Sequence, residues 1–230
     1  MPTYIADGGF AAKSGAPDRA NAEDWFIWHF THLDNLDSIV EAGAVLSSAR
    51  IKPPMNVADL KVKARRDLVL VQPDRDYPAG KYVKDHVPWY IAAKSPMLYV
   101  VSRGHEDYAG GTDALIFLGI NLGDLARSGL IWCASDRNAA AFDVEFSRDL
   151  SSLGDFVDFN LLCAKMWART PEDPTRATRR AAEVLVLDAV PLELVTAVVA
   201  RTEVSRDAAW RKLRAVGGVR EYWHVPKFYY

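Results

Sequence analysis

Glu183 is a single carboxylate at the start of an apolar run. Residues 184–187 are apolar and rich in valine, and Asp188 and Pro191 follow them, a pattern that predicts a short buried strand. A carboxylate fixed at the first position of such a strand can stabilise positive charge that develops in a transition state. Most glutamates at strand ends are instead solvated or ion-paired, so the residue on its own leaves both interpretations open.

A second polar group lies in residues 28–43. Aromatic and polar residues alternate over residues 28–31, which predicts a short strand. Thr31 and Asp34 resemble a capping box that opens a helix, and Gly43 would end it. The apolar residues of that helix fall on one face: Leu33, Leu36, Ile39 and Val40. A polar strand end beside a helix N-terminus suits a phosphate or a ribose.

Positive charge is concentrated in residues 50–94. This segment has ten Lys or Arg against five Asp, a local charge of +5, whereas the whole chain has a net charge of −2, which leaves −7 for the remainder. The segment also carries aromatic residues: Tyr77, Tyr82, Trp89 and Tyr90. Phosphate contacts combined with base stacking favour single-stranded nucleic acid over a duplex. A plain solvated basic face is an equal alternative on these residues alone.

The composition favours a single α+β domain that covers residues 1–230. Half of the 230 residues are hydrophobic, enough for one sizeable core. The first residues lack the pattern of a secretion signal, and no apolar stretch reaches the ~18 residues of a membrane helix. We therefore expect a cytoplasmic protein without membrane contact. Cys133 and Cys163 lack metal-ligand spacing, so we expect ordinary thiols and no bound metal.

Short strands alternate with helices along the chain. Strands are predicted at residues 68–71, 90–101, 115–119, 130–133 and 184–187, and helices at residues 122–126, 136–153 and 157–166, with Gly129 and Gly154 as stops. No glycine-rich dinucleotide fingerprint follows a strand. A dinucleotide, if bound, is therefore not held in a Rossmann manner.

Seven ordered segments resemble the DarT family of bacterial DNA ADP-ribosyltransferase toxins, and its actinobacterial members in particular. They are Gly9-Phe10, residues 29–32 (His-Phe-Thr-His), residues 86–90 (His-Val-Pro-Trp-Tyr), residues 95–99 (Ser-Pro-Met-Leu-Tyr), residues 132–136 (Trp-Cys-Ala-Ser-Asp), residues 179–186, and the ending from Gly217 to Tyr230. The resemblance implies the ADP-ribosyltransferase fold, a split mixed sheet with surrounding helices that holds NAD+ between its halves.

The resemblance also assigns site residues. It places Arg66 and Glu183 in catalysis, and places the following residues at NAD+: His29, Phe30, Thr31, Ser38, Leu46, Arg66 and Tyr90. Residues 51–68 would fold over NAD+, and residues 134–183 would contain the loop that presents the target base. For DNA contacts we expect Lys81 and Lys84 in the basic segment, and Arg137 and Asn138. Some members of the family have histidine where this chain has Asn138.

The activity implied is transfer of ADP-ribose from NAD+ to a base, with thymidine favoured, in single-stranded DNA. Arg66 would remove or share the proton of the base by analogy, although a guanidinium is a poor base and charge stabilisation is at least as plausible. A toxin of this kind implies a macrodomain antitoxin as partner. The alternatives are a guanosine-modifying or RNA-modifying relative and, in another class, an inactive nucleic-acid-binding module.

Overall fold

Ten strands and eight helices are present in the computed structural model, which describes residues 21–57, 60–218 and 220–230. The Gly9-Phe10 match and the start of the chain lie outside these residues. The strands are β1 (Phe26–His32), β2 (Ala44–Leu46), β3 (His86–Tyr90), β4 (Leu115–Asn121), β5 (Trp132–Ser135), β6 (Phe146–Ser147), β7 (Glu183–Leu187), β8 (Ala189–Pro191), β9 (Ala197–Ala200) and β10 (Glu221–His224). The helices are α1 (Leu36–Ala42), α2 (Leu60–Arg66), α3 (Pro96–Arg103), α4 (Leu122–Arg127), α5 (Leu153–Phe156), α6 (Phe159–Cys163), α7 (Arg176–Arg179) and α8 (Glu203–Leu213).

Eight strands form one sheet in the order β10-β9-β4-β1-β3-β7-β5-β6, and β2 pairs with β8 separately. The sheet is mixed, because β9 and β10 are parallel and the other neighbours are antiparallel. Strand β1 pairs with β4 along its whole length but with β3 only at Trp28 and Tyr90. The two halves of the sheet therefore separate beyond this one pair, and the predicted α+β fold with a split mixed sheet is confirmed. The extent of a single domain stays a prediction.

Both faces of the sheet are covered by apolar side chains. Strand β4 is buried at its first six residues, because its neighbours and packing layers cover both of its faces. On one face Trp28 packs edge-on against Phe117 and Phe228. A Cβ at Gly119, on the strand beside Trp28, would lie 2.5 Å from the indole ring. Glycine at that position therefore allows the ring to lie against the backbone.

The predicted strand at residues 184–187 and the helix at residues 122–126 are confirmed as β7 and α4, and residues 115–119 lie within β4. Residues 130–133 are strand only in their second half, in β5. The helix before Gly43 is also confirmed, but it begins at Leu36, after a 3-10 turn. The expected capping box is wrong: Thr31 stays in β1, and His32 accepts the hydrogen bond from the Asp34 N–H.

Five further predictions of local structure are wrong or only partly right. Residues 90–101 are not one strand, because Ser95 caps α3 and Pro96 opens it. Residues 68–71 form only an isolated bridge between Leu70 and Tyr82. Residues 136–153 are mostly loop, in which polar side chains accept hydrogen bonds from backbone N–H groups that a helix would have used. The helix predicted at residues 157–166 shortens to α6, and Gly154 lies inside α5 rather than at a helix end.

Candidate active site

Glu183 is the first residue of β7, and its side chain is only 1% exposed. Its Cα is paired with that of Tyr90 at the end of β3. Ser135 of β5 fixes its backbone: the Ser135 Oγ accepts from the Glu183 N–H at 3.3 Å and donates to the Arg137 carbonyl at 2.6 Å. Glu183 is therefore not solvated, but it is ion-paired, with Arg66.

Arg66 and a backbone amide hold the Glu183 carboxylate. The Arg66 Nη1 lies 3.2 Å from Oε1 and 3.3 Å from Oε2, and the Ala139 N–H donates to Oε1 at 3.0 Å. A carboxylate can accept about four hydrogen bonds, so a further donor can still bind. The Arg66 Nη2 is buried and has no hydrogen-bond partner among the described residues. An unsatisfied buried donor costs about 1–3 kcal/mol, which favours an anionic ligand at this nitrogen.

Arg66 lines a cavity of about 190 Å³ at the separation of β1 and β3, called here the small cleft. Strand β1 contributes residues 29–31, α1 contributes Ser38, and β3 contributes Tyr90. Tyr90 stacks on Phe30 with ring centres 5.9 Å apart. The small cleft is lined by every residue predicted to contact NAD+: His29, Phe30, Thr31, Ser38, Leu46, Arg66 and Tyr90. The structure thus brings this set of sequence-predicted residues together.

Asn35, which the sequence did not single out, fixes one wall of the small cleft. Its amide oxygen accepts from the Met55 N–H at 2.8 Å, and its Nδ2 donates to the Met55 carbonyl at 2.9 Å and to the Thr31 Oγ1 at 3.0 Å. One buried side chain therefore ties the segment before α2 to β1. This contact positions the wall that carries Arg66.

Lys63 is a second cation of the small cleft, one turn before Arg66 on the same face of α2. Burial, and then repulsion by Arg66, lowers the pKa of Lys63. The ammonium donates to the Asn56 side chain. Two close cations in a partly desolvated cavity favour an anionic ligand.

Histidine side chains on the small cleft are held neutral. The His29 Nδ1 donates to the Pro88 carbonyl at 2.9 Å, and burial is the main cause of its lowered pKa. The His86 Nδ1 donates to the Tyr82 carbonyl at 2.8 Å, so its Nε2 accepts from the Tyr77 hydroxyl at 2.6 Å. Burial lowers the pKa of His86 to about 4. Neutral rings can accept as well as donate, which suits contacts to hydroxyl groups.

A wider cavity of about 970 Å³, called here the large cleft, adjoins the small cleft. Four residues line both cavities: Val62, Tyr90, Met97 and Asn138. The wall of the large cleft contains Trp167 and Tyr230, and the Trp167 indole N–H donates to the Tyr230 hydroxyl at 3.0 Å. Its exposed cations are Arg65, Lys165 and Arg169. Glu183 itself lines neither cavity: its carboxylate is bound by Arg66, which lines the small cleft, and by the N–H of Ala139, which follows Asn138.

Comparisons with known proteins show the family of this chain. The family model described as "ssDNA thymidine ADP-ribosyltransferase, DarT" matches residues 28–230. The chain belongs to the DarT family. It is 49% identical over 227 residues to a DNA ADP-ribosyl transferase of Mycobacterium tuberculosis, which covers 99% of this chain and 98% of the relative. The expected family and enzyme class are confirmed.

Solved DarT structures share the fold. Thermus sp. 2.9 DarT in complex with ADP-ribosylated ssDNA superposes with a TM-score of 0.81 at 26% identity, over 95% of this chain and all of the other. The same protein in complex with NAD+ superposes with a TM-score of 0.74 at 25% identity, over 90% of this chain and 98% of the other.

Within this DarT chain, the residues predicted to contact DNA divide into two sets. Asn138 lies between the two clefts. Arg137 is occupied by ion pairs with Asp136 and Asp143 and lines neither cleft. Lys81 and Lys84 also lie outside both linings, and the Lys84 Nζ is 4.0 Å from an Asp67 oxygen. DNA contacts by these four residues stay predictions.

Several DarT site residues carry little local signal in the sequence. Asn35 lies in the 3-10 turn after β1, and Lys63 lies inside α2, where its spacing of three residues from Arg66 was the one available signal. Among the described residues no group of three or more His, Cys, Asp or Glu is arranged to hold a metal ion. In that part of the chain, no helix combines the length and apolarity that a membrane span requires.

Proposed function

We propose that this protein transfers ADP-ribose from NAD+ to a thymidine base in single-stranded DNA and releases nicotinamide. The observation that carries the proposal is that two clefts adjoin at Tyr90 and Asn138, and that the buried carboxylate of Glu183, paired with Tyr90 in the sheet, is bound by Arg66 and by the N–H next to Asn138. A transferase needs a donor site and an acceptor site that share the reacting groups. The description of the DarT family and the NAD+ and ssDNA complexes of the Thermus protein support this assignment.

The small cleft is the site for NAD+. The Arg66 Nη2 and the Lys63 ammonium would bind the pyrophosphate, whose oxygens satisfy the buried donor of Arg66. His29, Thr31 and Tyr90 offer polar groups for the ribose and the nicotinamide end. Tyr90 keeps its proton, because burial and then the Glu183 charge raise the pKa of its phenol.

Glu183 would stabilise the cation that forms at the ribose. Nicotinamide leaves with the electron pair of the glycosidic bond, and the ribose carbon gains oxocarbenium character. The base nitrogen supplies the pair for the new bond, and its proton is released to solvent. A carboxylate fixed by Arg66 and Ala139 needs no reorganisation as this charge develops. Arg66, paired with Glu183, acts here as a cation rather than as a base.

The large cleft is the site for the acceptor strand. Its exposed cations suit phosphates, and its aromatic and apolar wall suits bases. Asn138, at the boundary with the small cleft, has an amide that can bond to a base carbonyl or a ring nitrogen. An asparagine amide can form hydrogen bonds with thymine and with guanine, so guanosine is the second candidate acceptor.

The test is product identification by mass. The protein is incubated with NAD+ and separate pools of single-stranded DNA, RNA and protein, and a DNA product heavier by one ADP-ribose is expected on thymidine. Glu183→Gln is the inactive variant, and Glu41→Gln, on an exposed position of α1, is the control that keeps activity. Modification of guanosine or of RNA would show that thymidine in DNA is not the acceptor. A wild-type protein that leaves NAD+ intact would favour an inactive binding module.

We also propose that the protein is a cytoplasmic toxin whose mark a macrodomain antitoxin removes. Base modification at the Watson–Crick face would block replication. Expression of the wild-type chain alone should stop growth with DNA-linked ADP-ribose accumulating, whereas Glu183→Gln should be tolerated. Growth arrest by that variant would contradict a toxin that acts through this chemistry.

A further inference from the structure

Phe142 is the most exposed large apolar side chain of the described residues, at 91% of its surface. It lies in the loop between β5 and β6 and lines the large cleft. Met166, 72% exposed and from a separate segment, lines the same cleft. Isolated exposed apolar residues are ordinary, but two of them at one cleft favour a ligand with an apolar surface.

The loop that carries Phe142 is held in place. The Asn138 N–H donates to the Thr178 carbonyl at 2.8 Å, the Ala140 N–H donates to the Asn138 Oδ1 at 2.8 Å, and Arg137 forms an ion pair with Asp143. The ring is therefore presented on an anchored turn although its own surface is free.

Distance along the chain ties the ring to the reacting groups. The Ala139 N–H binds the Glu183 carboxylate, and Phe142 follows three residues later. Three residues span at most about 11 Å. The ring thus lies one or two nucleotide steps from a base that is held over Glu183.

The charges around Phe142 favour a polyanion. Lys165 and Arg169 flank Met166, and Arg65 faces the same cavity. None of these three cations forms an ion pair within residues 21–57, 60–218 and 220–230. Cations spaced around exposed apolar side chains suit alternating phosphates and bases.

We propose that Phe142 stacks on a base adjacent to the acceptor base, with Met166 as a second apolar contact, and so fixes the strand over Glu183. This inference rests on the proposed function. Stacking engages the π-face that every base has, so Phe142 sets position along the strand more than base identity.

The test is binding and turnover of Phe142→Ala beside Phe142→Tyr. Affinity for a single-stranded oligonucleotide, measured without NAD+, should fall about tenfold in the alanine variant and stay within about twofold in the tyrosine variant. The KM for DNA should rise by the same factor, whereas the KM for NAD+ and the midpoint of thermal unfolding should not change. Val204→Ala, 77% exposed on α8, is the control for loss of an exposed apolar side chain.

Oligonucleotides with an abasic site on one side of the acceptor locate the contact. In the wild type, an abasic site on the side that Phe142 contacts should weaken binding about tenfold, and an abasic site on the other side should not. In Phe142→Ala, neither abasic site should weaken binding further. Additive losses on both sides, or unchanged binding by Phe142→Ala, would overturn the proposal. A loss confined to duplex substrates would instead make Phe142 a strand-opening wedge. Binding is measured without turnover. A wild-type protein that binds DNA but transfers nothing would therefore contradict the proposed function, and the binding comparison would still test the role of Phe142.

Discussion

The two clefts differ in how their side chains are held. In the small cleft, Asn35 and His29 bond to backbone groups of other segments, and Arg66 is bound to the carboxylate. In the large cleft, Phe142, Met166, Lys165 and Arg169 extend from loops, and Arg65 extends from α2. A bond-breaking step depends on atoms placed to within a fraction of an ångström, whereas stacking and phosphate contacts tolerate adjustment. The comparison indicates bonded side chains at a site for one fixed co-substrate, and exposed side chains on anchored segments at a site that can adjust to a strand.

The clefts also differ in electrostatic environment. Arg66 is 12% exposed, so its interaction with Glu183 is only weakly screened by salt. Arg65, Lys165 and Arg169 are exposed, so salt screens their contacts strongly. Ionic strength should therefore affect the acceptor side more than the donor side.

The largest expected effect is that of Glu183→Gln, because the proposed reaction needs the Glu183 charge whether DNA or water is the acceptor. The variant should lose transfer to DNA, and any hydrolysis of NAD+ without DNA, by about a hundredfold or more, since it lacks the charge that stabilises the ribose cation. Nicotinamide release with and without oligonucleotide measures both activities. Loss of transfer with intact NAD+ hydrolysis would assign Glu183 to the acceptor side alone.

Acid should destabilise the wall of the small cleft through His86. Its pKa in the folded chain is about 4, below the ordinary 6.5, so the unfolded chain binds the proton more readily between these values. This contribution to stability is complete above pH 6.5 and is lost as the pH falls towards 4, by about 1.4 kcal/mol per pH unit. Urea unfolding near neutral pH and at about pH 4.5 should therefore show less acid destabilisation in His86→Gln than in the wild type. Equal destabilisation of the two proteins would show that His86 titrates normally.

Strandedness tests the acceptor side. Thymine N3 is committed to adenine in a duplex, so the base must leave the stack before it can react. We expect single-stranded DNA to react at least about tenfold faster than the same sequence annealed to its complement, and RNA not to react. Initial rates with a radiolabelled NAD+ measure this, and equal rates on strand and duplex would contradict a site built for unpaired DNA.

Removal of the Lys63 charge should affect only the donor side. Lys63→Gln should raise the KM for NAD+ about fivefold, because one of two cations near the pyrophosphate is lost, and should leave affinity for DNA unchanged. Lys61→Gln, on an exposed position of the same helix, is the matched control. A change in DNA affinity without a change in the KM for NAD+ would move Lys63 to the acceptor side.

The smallest expected effect is in the salt dependence of DNA binding. Each phosphate contact contributes about 0.7 to the logarithmic slope for a single strand. Neutralising Lys165 and Arg169 should flatten the slope more than neutralising Lys81 and Lys84, because only the first pair lines the large cleft. The sequence predicted Lys81 and Lys84 as contacts, and a larger change from that pair would place the strand along the basic segment instead.

Sequence patterns correctly predicted the helices and strands that depend on residues close together in the chain. The apolar run after Glu183 became β7, and Gly43 ends α1 in the left-handed conformation that favours glycine. The helix predicted at residues 136–153 is absent because the side chains of Asp136 and Asn138 accept hydrogen bonds from nearby backbone N–H groups, which a helix would have used. The spacing of hydrophobic residues carries no information about such hydrogen bonds. The strand predicted through Ser95 failed because the prediction gave the apolar run more weight than the helix-capping residues. In the structure Ser95 caps α3.

By itself the sequence predicted the family through its ordered motifs, and the resemblance to that family implied the split mixed sheet and the residues that line the small cleft. Only the tertiary structure decided that Arg66 meets Glu183 across 117 positions, that Asn35 holds Met55, and that the large cleft is lined by Phe142 and Lys165 and not by Lys81. These contacts join segments far apart in the chain. They depend on how the two halves of the sheet separate at Trp28 and Tyr90, which no local pattern specifies.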